Sequence, residues 1–371
     1  MAPQRPKGAG ALDQATAPSP APVPHRTGEL YAALDLGTNS CRMLIAQPQG
    51  NGFTVVDSFS KSVQLGAGLE KTGRLSRGSM TRTIQALRIC QQKLKRNKVR
   101  HKRLVATEAC RRALNAEDFI RRVHQETGLR LDIIKPQEEA QLAVVSCAPL
   151  VSPGTENLLV VDIGGGSTEL VWIDLQHVPK KERARAIMRL HYGFSQHMSG
   201  MEAARVVDWI SVPLGVATLR DQFVDVEDDA ARFALMSWFF EENLSDFSPY
   251  HDMQPQEKFQ IIGTSGTVTT VAASHLGLKR YDRTKVDGLH MTTDQIDRVI
   301  RSYLALGPDG RRADPRIGQD RQALIMSGAA ILQALMRCWP TDRLSVADRG
   351  LREGLLYSQM SAHGVLEDGD F

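Results

Sequence analysis

The sequence predicts an α/β fold with two related domains on either side of a cleft. The first reason is an internal repeat, because residues 34–45 align without a gap on residues 161–172, 127 positions further along the chain. Each copy reads as an apolar strand that leads into an aspartate, a turn with glycine and hydroxyl residues, and a second apolar strand. The second reason is that predicted strands and helices alternate, as they do in α/β domains. The third is the turn-forming segment 151–155, which precedes the second copy.

These observations also predict the domain boundaries. We expect a disordered Ala/Pro-rich tail over residues 1–28, a first domain over 29–152, a second over 153–360 and a short tail over 361–371. An alternative prediction is that the last helix of the second domain packs on the first domain. The repeat occurs once in each half, which is typical of a duplicated unit rather than of a solenoid with shorter periods.

In the first domain, hydrophobic periodicity and cap residues locate the elements. Residues 79–97 carry apolar residues at helical spacing and gather Lys and Arg at the end, where cations favour the helix dipole. Asn115 is a helix cap followed by acidic residues in the first turn. The predicted strands are 30–46 as a hairpin arm, 53–63, 103–106 and 131–134, and the predicted helices are 79–97, 115–126 and 137–147.

The second domain begins with the second copy of the hairpin. A strand over 259–263 leads through a turn at 264–267 into a helix over 268–276. The remaining predictions are helices at 201–219, 230–244, 321–338 and 351–360, and a strand at 343–346.

Composition excludes several classes of protein. The chain has 371 residues, 42% apolar and 24% charged, as in ordinary soluble proteins with two cores. A net charge of +4 permits an anionic substrate but does not indicate nucleic acid binding. No apolar run reaches the ~18 residues of a membrane helix, and the N-terminus lacks the apolar region of a secretory signal. Five cysteines without ligand spacing predict free thiols and a cytoplasmic location.

The two turns of the repeat predict a phosphate site. Glycine lets backbone N–H groups approach an anion closely, and such turns form concave nests for phosphate oxygens. The aspartate at each entrance repels phosphate, so it suits a metal ion or its water shell. Two such hairpins facing each other would hold a phosphate chain from both sides. The predicted cradle residues are Gly37, Thr38, Asn39, Ser40, Gly164, Gly165, Gly166 and Ser167.

Six motifs in order resemble one family. They are ALDLGTNS at 33–40, ATEACRRALN at 106–115, EEA at 138–140, DIGGGSTE at 162–169, GTSGT at 263–267 and DRGLREG at 348–354. The two-hairpin pattern resembles the actin, Hsp70 and sugar-kinase superfamily, and the whole set resembles the short, two-domain form of the exopolyphosphatase and guanosine pentaphosphate phosphatase (Ppx/GppA) family. The resemblance implies two actin-like, ribonuclease H-like domains with an interdomain cleft. One departure is Pro136, where the family usually has glycine; proline suits the first turn of the helix that follows.

The resemblance also implies residue roles. Glu139 matches the base that orients and deprotonates the attacking water, although acids at a helix start are also favoured by the dipole alone. Arg111, rather than Arg112, matches a donor of two parallel hydrogen bonds to the phosphoryl group. Asp162 and Glu169 match the residues that hold Mg²⁺, directly or through water.

Three features keep two interpretations each. Asp35 contacts a metal or water, or it braces its turn. The turn with Gly263, Ser265 and Gly266 binds an anion or the sugar-phosphate of a nucleotide, or it is simply tight. The basic run 93–103 is a solvated face or a surface for a polyanion.

The leading functional prediction is Mg²⁺-dependent hydrolysis of the terminal phosphate of inorganic polyphosphate. The alternative within the family is hydrolysis of the 5′-phosphate of guanosine pentaphosphate. Two alternatives do not involve hydrolysis: a phosphotransferase of the same superfold, and a non-enzymatic sensor of nucleotides or polyanions. We expect polyphosphate or guanosine pentaphosphate as substrate, no membrane or nucleic acid partner, and compatibility with a homodimer.

Overall fold

The structure is a computed structural model that describes residues 28–194, 203–251, 258–318 and 321–366. Residues 1–27 of the first predicted tail and 367–371 of the second lie outside these ranges, whereas residues 361–366 are described and include the end of the last helix. The described strands are β1 (Tyr31–Leu36), β2 (Ser40–Gln49), β3 (Gly52–Ser62), β4 (His101–Ala106), β5 (Asp132–Ile133), β6 (Asn157–Ile163), β7 (Thr168–Asp174), β8 (Arg205–Val212), β9 (Phe259–Thr264), β10 (His290–Met291) and β11 (Leu344–Ala347).

Helices fill the intervals between these strands. They are α1 (Leu69–Thr72), α2 (Arg77–Arg96), α3 (Glu108–Arg112), α4 (Ala116–Thr127), α5 (Pro136–Cys147), α6 (Arg183–Arg189), α7 (Val216–Gln222), α8 (Asp229–Glu242), α9 (Gly266–His275), α10 (Arg283–Val286), α11 (Thr293–Ala313), α12 (Ile325–Cys338) and α13 (Leu351–Ala362). Short 3₁₀ turns cover Ala148–Leu150, Lys180–Glu182, Leu190–Tyr192 and Ser248–His251. Helix α11 is interrupted at Gly307, which has a non-helical φ of 62° and is followed by Pro308. None of the described helices is long and apolar enough to cross a membrane.

The two sheets repeat one topology. The first has the order β3-β2-β1-β4-β5 and the second the order β10-β11-β9-β6-β7-β8. In each, three antiparallel strands (β1–β3 and β6–β8) are extended by strands that pair in parallel with the first of the three (β4 and β9). The duplication seen in 34–45 and 161–172 therefore extends through both sheets, and the predicted α/β class is confirmed.

One predicted helix is wrong. Residues 205–212 of the expected helix 201–219 form strand β8, and only α7 at its end is helical. Residues 201 and 202 lie outside the described ranges. The segment is rich in β-branched and aromatic residues, which suit a strand surface, and β8 adds to the edge of β7. A local helical pattern was thus overridden by sheet pairing. The sequence also left α11 unpredicted.

Helices α5 and α13 lie between the two sheets. Val144 and Val145 of α5 pack with strands β6 and β7, whereas Leu142 of the same helix packs with strand β1 and with Leu355 of α13. The helices cross closely, since a β-carbon at Gly354 would lie 2.1 Å from the carbonyl oxygen of Leu142. The C-terminal helix therefore packs on the first sheet although it follows the second in sequence.

Candidate active site

The two repeated turns have the same geometry. The N–H of Gly37 donates to the Ser40 carbonyl over 2.9 Å, and the N–H of Gly164 donates to the Ser167 carbonyl over the same 2.9 Å. Each turn joins two antiparallel strands, β1 to β2 and β6 to β7. The gapless alignment of the sequence repeat is thus a structural equivalence.

The two turns meet. A β-carbon at Gly165 would lie 3.3 Å from the backbone nitrogen of Asn39, and one at Gly166 would lie 2.5 Å from Thr38 Oγ1. Glycine is required at Gly166 by this approach, because a methyl group there would overlap Thr38 and Glu108. Thr38 Oγ1 is buried and has no hydrogen-bond partner among the described residues, so this hydroxyl remains available as a donor and acceptor between the turns.

A cleft of about 260 Å³ opens where the turns meet. All eight predicted cradle residues line it, together with Asp35, Glu139, Asp162, Ser265 and Gly266. Gly263 does not line the cleft; it lies in strand β9 and packs against Val268. Glu169 is buried one layer behind, where it pairs in register with Asp162 and accepts a hydrogen bond from Ser211 over 2.8 Å.

Four carboxyl groups gather in and behind the cleft, and burial is the main cause of their raised pKa values. The pKa of Glu139 is raised to about 8 by burial and by the charge of Glu169, against the opposing effect of Arg111. Burial, with Glu139 and Asp35 nearby, raises the pKa of Asp162 to about 8. Burial and Asp162 raise the pKa of Glu169 to about 7. The pKa of Asp35 is raised by burial, although Arg42 and Arg352 oppose the change. Such concentrated negative charge is stable only if protons or cations neutralise it.

Arg111 is engaged by the protein itself. Its Nη1 donates to Glu139 Oε2 over 2.7 Å and to the Ile134 carbonyl over 3.1 Å. Its Nε and Nη2 both donate to Glu108 Oε2, over 3.0 and 2.7 Å. This differs from our expectation that the Arg111 guanidinium is available to donate two parallel hydrogen bonds to the phosphoryl group. In this arrangement Arg111 orients Glu139 and ties helix α5 to helix α3.

The neighbours of these two residues have other partners. Glu138 is paired with Arg103. Arg112 forms an ion pair with Glu70. Pro136 is the first residue of α5, as its fixed φ predicts. Only Glu139 of the paired glutamates therefore faces the cleft.

The turn after β9 contributes the N-terminus of α9. Ser265 Oγ accepts from the N–H groups of Thr267 and Val268, both over 3.1 Å, so its hydroxyl caps the helix. Arg321 packs over Gly266 and donates to its carbonyl over 2.9 Å. The loop thus faces the cleft, with the Ser265 side chain engaged by its own helix.

Sequence reasoning missed several cleft residues. Arg42 occupies the position of the first hairpin that Glu169 occupies in the second, so the repeat itself held a signal for it. Arg349 and Arg352 lie in the last motif of the series. The serines of β3 carried no sequence signal. The cleft residues that were not predicted include Arg42, Ser60, Ser62, Glu108, Thr269, Arg321, Arg349 and Arg352.

The comparisons with known proteins agree with this architecture. The sequence model of the Ppx/GppA phosphatase family matches residues 44–363. The chain belongs to this family. A crystal structure of the Aquifex aeolicus Ppx/GppA family member is 29% identical, with a TM-score of 0.70, and the match covers 90% of this chain and 98% of that one. An exopolyphosphatase from Cytophaga hutchinsonii, 20% identical with a TM-score of 0.75 over 91% and 100% of the two chains, shares the fold.

A longer Ppx/GppA relative is similar in sequence. The protein of Aeromonas salmonicida named guanosine-5′-triphosphate,3′-diphosphate pyrophosphatase is 28% identical over 328 residues. That match covers 88% of this chain and 59% of the relative. The chain therefore spans about three fifths of the length of this curated relative.

The Ppx/GppA cleft suits a hard cation that keeps water or phosphate ligands. Among the described residues, no three His, Cys, Asp or Glu side chains converge as a ready metal cage. Mg²⁺ is usually held by one or two carboxylates with substrate phosphates and waters, which this arrangement allows. The raised pKa values of Asp162 and Glu139 and the unpartnered Thr38 hydroxyl fit such an ion.

Proposed function

We propose that this protein is an exopolyphosphatase, which hydrolyses the terminal phosphate of inorganic polyphosphate with Mg²⁺. One observation carries the proposal: the two glycine-containing turns meet beside Glu139, so that phosphate oxygens and a general base share one cleft. Phosphoryl transfer depends mainly on positioning and on neutralising charge, which backbone N–H groups and a cation supply. The family membership supports phosphoanhydride chemistry.

In this proposal Glu139 activates the water. Its Oε2 accepts from Arg111, which leaves Oε1 for the attacking water. The water oxygen forms a bond to the terminal phosphorus, its proton passes to Glu139, and the bridging P–O bond breaks with its electrons remaining on the shortened chain. Arg111 acts through Glu139, by holding its orientation and favouring its ionised form.

Asp162 and Asp35 would hold Mg²⁺ in this cleft, directly or through water, and Glu169 would support Asp162 from behind. When bound, the ion would neutralise phosphate oxygens. The N–H groups of the two turns bind those oxygens from both sides. Ser265 acts by capping α9, and Gly266 offers its backbone to the substrate.

Guanosine pentaphosphate is the second candidate substrate, because two similar proteins, from Aeromonas salmonicida and Aeromonas hydrophila, are named guanosine-5′-triphosphate,3′-diphosphate pyrophosphatase. The lining of the cleft favours a purely inorganic chain, since none of the described residues that line it is aromatic and could stack on a base. A phosphotransferase would need an acceptor site besides the water position at Glu139. The cytoplasmic location and the homodimer stay predictions.

Phosphate release from polyphosphate and from guanosine pentaphosphate, measured at matched concentrations with Mg²⁺, tests the proposal. We expect faster release from polyphosphate, as judged by kcat/KM. Faster release from guanosine pentaphosphate would reverse the order of the two candidates. Formation of ATP from ADP and polyphosphate, without release of phosphate, would instead indicate a transferase.

A further inference from the structure

We infer that Thr218 is a positioning residue for the second repeated turn, which spans residues 164–167. From behind the turn, its hydroxyl holds the backbone so that the N–H groups of the turn face the cleft and the phosphate. Thr218 lies in helix α7, is 6% exposed and does not line the cleft, so it acts through the turn rather than on the substrate. The inference rests on the proposed function, because it adds a residue to the phosphate cradle of that reaction.

The start of α7 binds the carbonyl groups of the turn. The N–H groups of Val216 and Ala217 donate to the first two carbonyls of the turn, over 3.0 and 2.8 Å. The hydroxyl of Thr218 donates to the third carbonyl, that of Gly166, over 3.1 Å. The Gly215 carbonyl, a second acceptor within reach of this hydroxyl, lies farther away at 3.3 Å. Three consecutive carbonyls of the turn therefore point toward α7.

This arrangement decides where the N–H groups of the turn point. In a planar trans peptide, the carbonyl of one residue and the N–H of the next lie on opposite sides. Because the carbonyls of residues 164–166 face α7, the N–H groups of Gly165, Gly166 and Ser167 are directed away from α7, toward the cleft that all three residues line. The bound carbonyls also polarise their peptide units, which strengthens the N–H groups as donors.

The start of α7 packs directly on the turn. A β-carbon at Gly215 would lie 2.5 Å from the Gly164 carbonyl oxygen and 2.6 Å from the Gly166 nitrogen, so no side chain fits between helix and turn. Thr218 also shapes this helix start, because its Oγ1 accepts from the N–H of Gly215 over 2.8 Å. Loss of this one hydroxyl would therefore remove two hydrogen bonds at the junction and let the turn shift.

The first turn is supported in an equivalent way. The carbonyls of Thr38 and Asn39 accept from backbone N–H groups of the segment 63–66, each over 2.9 Å. Its support therefore comes from main-chain donors, whereas the second turn also uses the side chain of Thr218. A substitution at Thr218 can thus alter the orientation of one cradle without changing any residue that lines the cleft.

Replacing Thr218 by valine tests the positioning role. Valine keeps the shape of the side chain and removes the hydroxyl. We expect kcat for polyphosphate to fall about tenfold, because donors that have shifted match the transition state less well. KM should change little, because the first turn and the cation still hold the substrate. Thr218→Ser, which keeps the hydroxyl, should retain most of the wild-type kcat.

Thr127→Val is the matched control. Thr127 is 7% exposed, and its hydroxyl also makes two bonds to the backbone: it donates to the Val123 carbonyl over 2.7 Å and accepts from the N–H of Leu129 over 3.1 Å. It lies at the end of α4 and does not line the cleft. Both valine variants should lose similar stability in urea unfolding, but Thr127→Val should keep the wild-type kcat.

Binding of orthovanadate with Mg²⁺, measured by calorimetry, provides a readout that needs no turnover. Orthovanadate resembles the phosphoryl group in transfer, so its dissociation constant should rise about tenfold in Thr218→Val and stay near wild type in Thr127→Val. Equal losses in the two variants, or a Thr218→Val protein that behaves as wild type, would overturn the inference and leave the hydrolase proposal standing. A wild-type protein that releases no phosphate from polyphosphate, with the difference in orthovanadate binding preserved, would refute the proposed function and support the positioning role.

Discussion

At the scale of single residues, one arginine fixes the orientation of two carboxylates of the site, Glu139 and Glu108. Glu139 is raised in pKa by burial, and Arg111 binds it and Glu108 at once. The place of Glu139 in the cleft was predictable from its motif. The engagement of the Arg111 guanidinium by Glu108 was not predictable. Glu108 precedes Arg111 by three residues, and the two side chains meet only once helix α3 has formed.

Replacing Glu139 by Gln should abolish most turnover and spare binding. The amide keeps the shape of the side chain but cannot accept the proton of the water, and a positioned base contributes about 10²–10⁴-fold to the rate. Phosphate release should fall by that factor, whereas binding of polyphosphate, measured by calorimetry, should change little. Glu138→Gln is the control, since Glu138 pairs with Arg103 away from the cleft. Retained turnover in Glu139→Gln would assign the base to another residue.

At the scale of elements, helix ends and helix crossings position the loops. Strand β9 ends in a turn whose serine caps α9, and α5 crosses α13 at a glycine. The cap depends on the side chain of Ser265, and the helix crossing depends on the absence of a side chain at Gly354. They can therefore be tested by single substitutions.

Gly354→Ala should destabilise the fold. The added methyl group would collide with the carbonyl of Leu142, a backbone atom 2.1 Å away, so the two helices must move apart. Overpacking of this kind costs about 1–3 kcal/mol, to be read from urea unfolding. Gly78→Ala in α2 is the control, because its β-carbon would meet only the end of Arg82 at 3.5 Å. That change should be neutral or stabilising, and equal effects of the two would argue against a tight crossing.

Ser265→Ala should remove the cap of α9. The N–H groups of Thr267 and Val268 lose their acceptor, which costs about 1 kcal/mol in the free energy of unfolding. Ser265→Asp should keep the cap and restore stability, yet raise KM because a carboxylate then faces the phosphates. If alanine left stability unchanged while KM rose, the serine would bind substrate rather than cap the helix.

At the scale of the whole molecule, two copies of one strand order meet at their equivalent turns. This meeting concentrates acidic groups that are far apart in sequence. Because their folded pKa values exceed those of the unfolded chain, the folded protein binds protons more tightly. The stability that these groups contribute is therefore present at low pH and is lost as the pH rises from about 4 to about 8.

The metal-free protein should accordingly melt at a lower temperature at pH 8.5 than at pH 6, and Mg²⁺ should restore more stability at pH 8.5. Asp162→Asn should reduce both effects, because it removes one of the repelling charges. Each kcal/mol corresponds to about 2–4 °C in melting temperature for a domain of 150–250 residues. Asp309→Asn is the control, since that carboxylate is 94% exposed and should alter neither effect. An identical response of the two variants would argue against a carboxylate cluster at the cleft.

The sequence by itself determined the repeat, the α/β class and the cleft residues of the two turns, with Asp35, Glu139 and Asp162, because glycine-containing turns and motif order are local properties of consecutive residues. Tertiary structure alone decided that β8 is a strand, that Arg111 is saturated, and that Ser60 and Ser62 border the cleft. Those outcomes depend on which strand pairs with which and on which side chain meets another across the sheets. Such pairings join residues distant in the chain, so no local pattern specifies them.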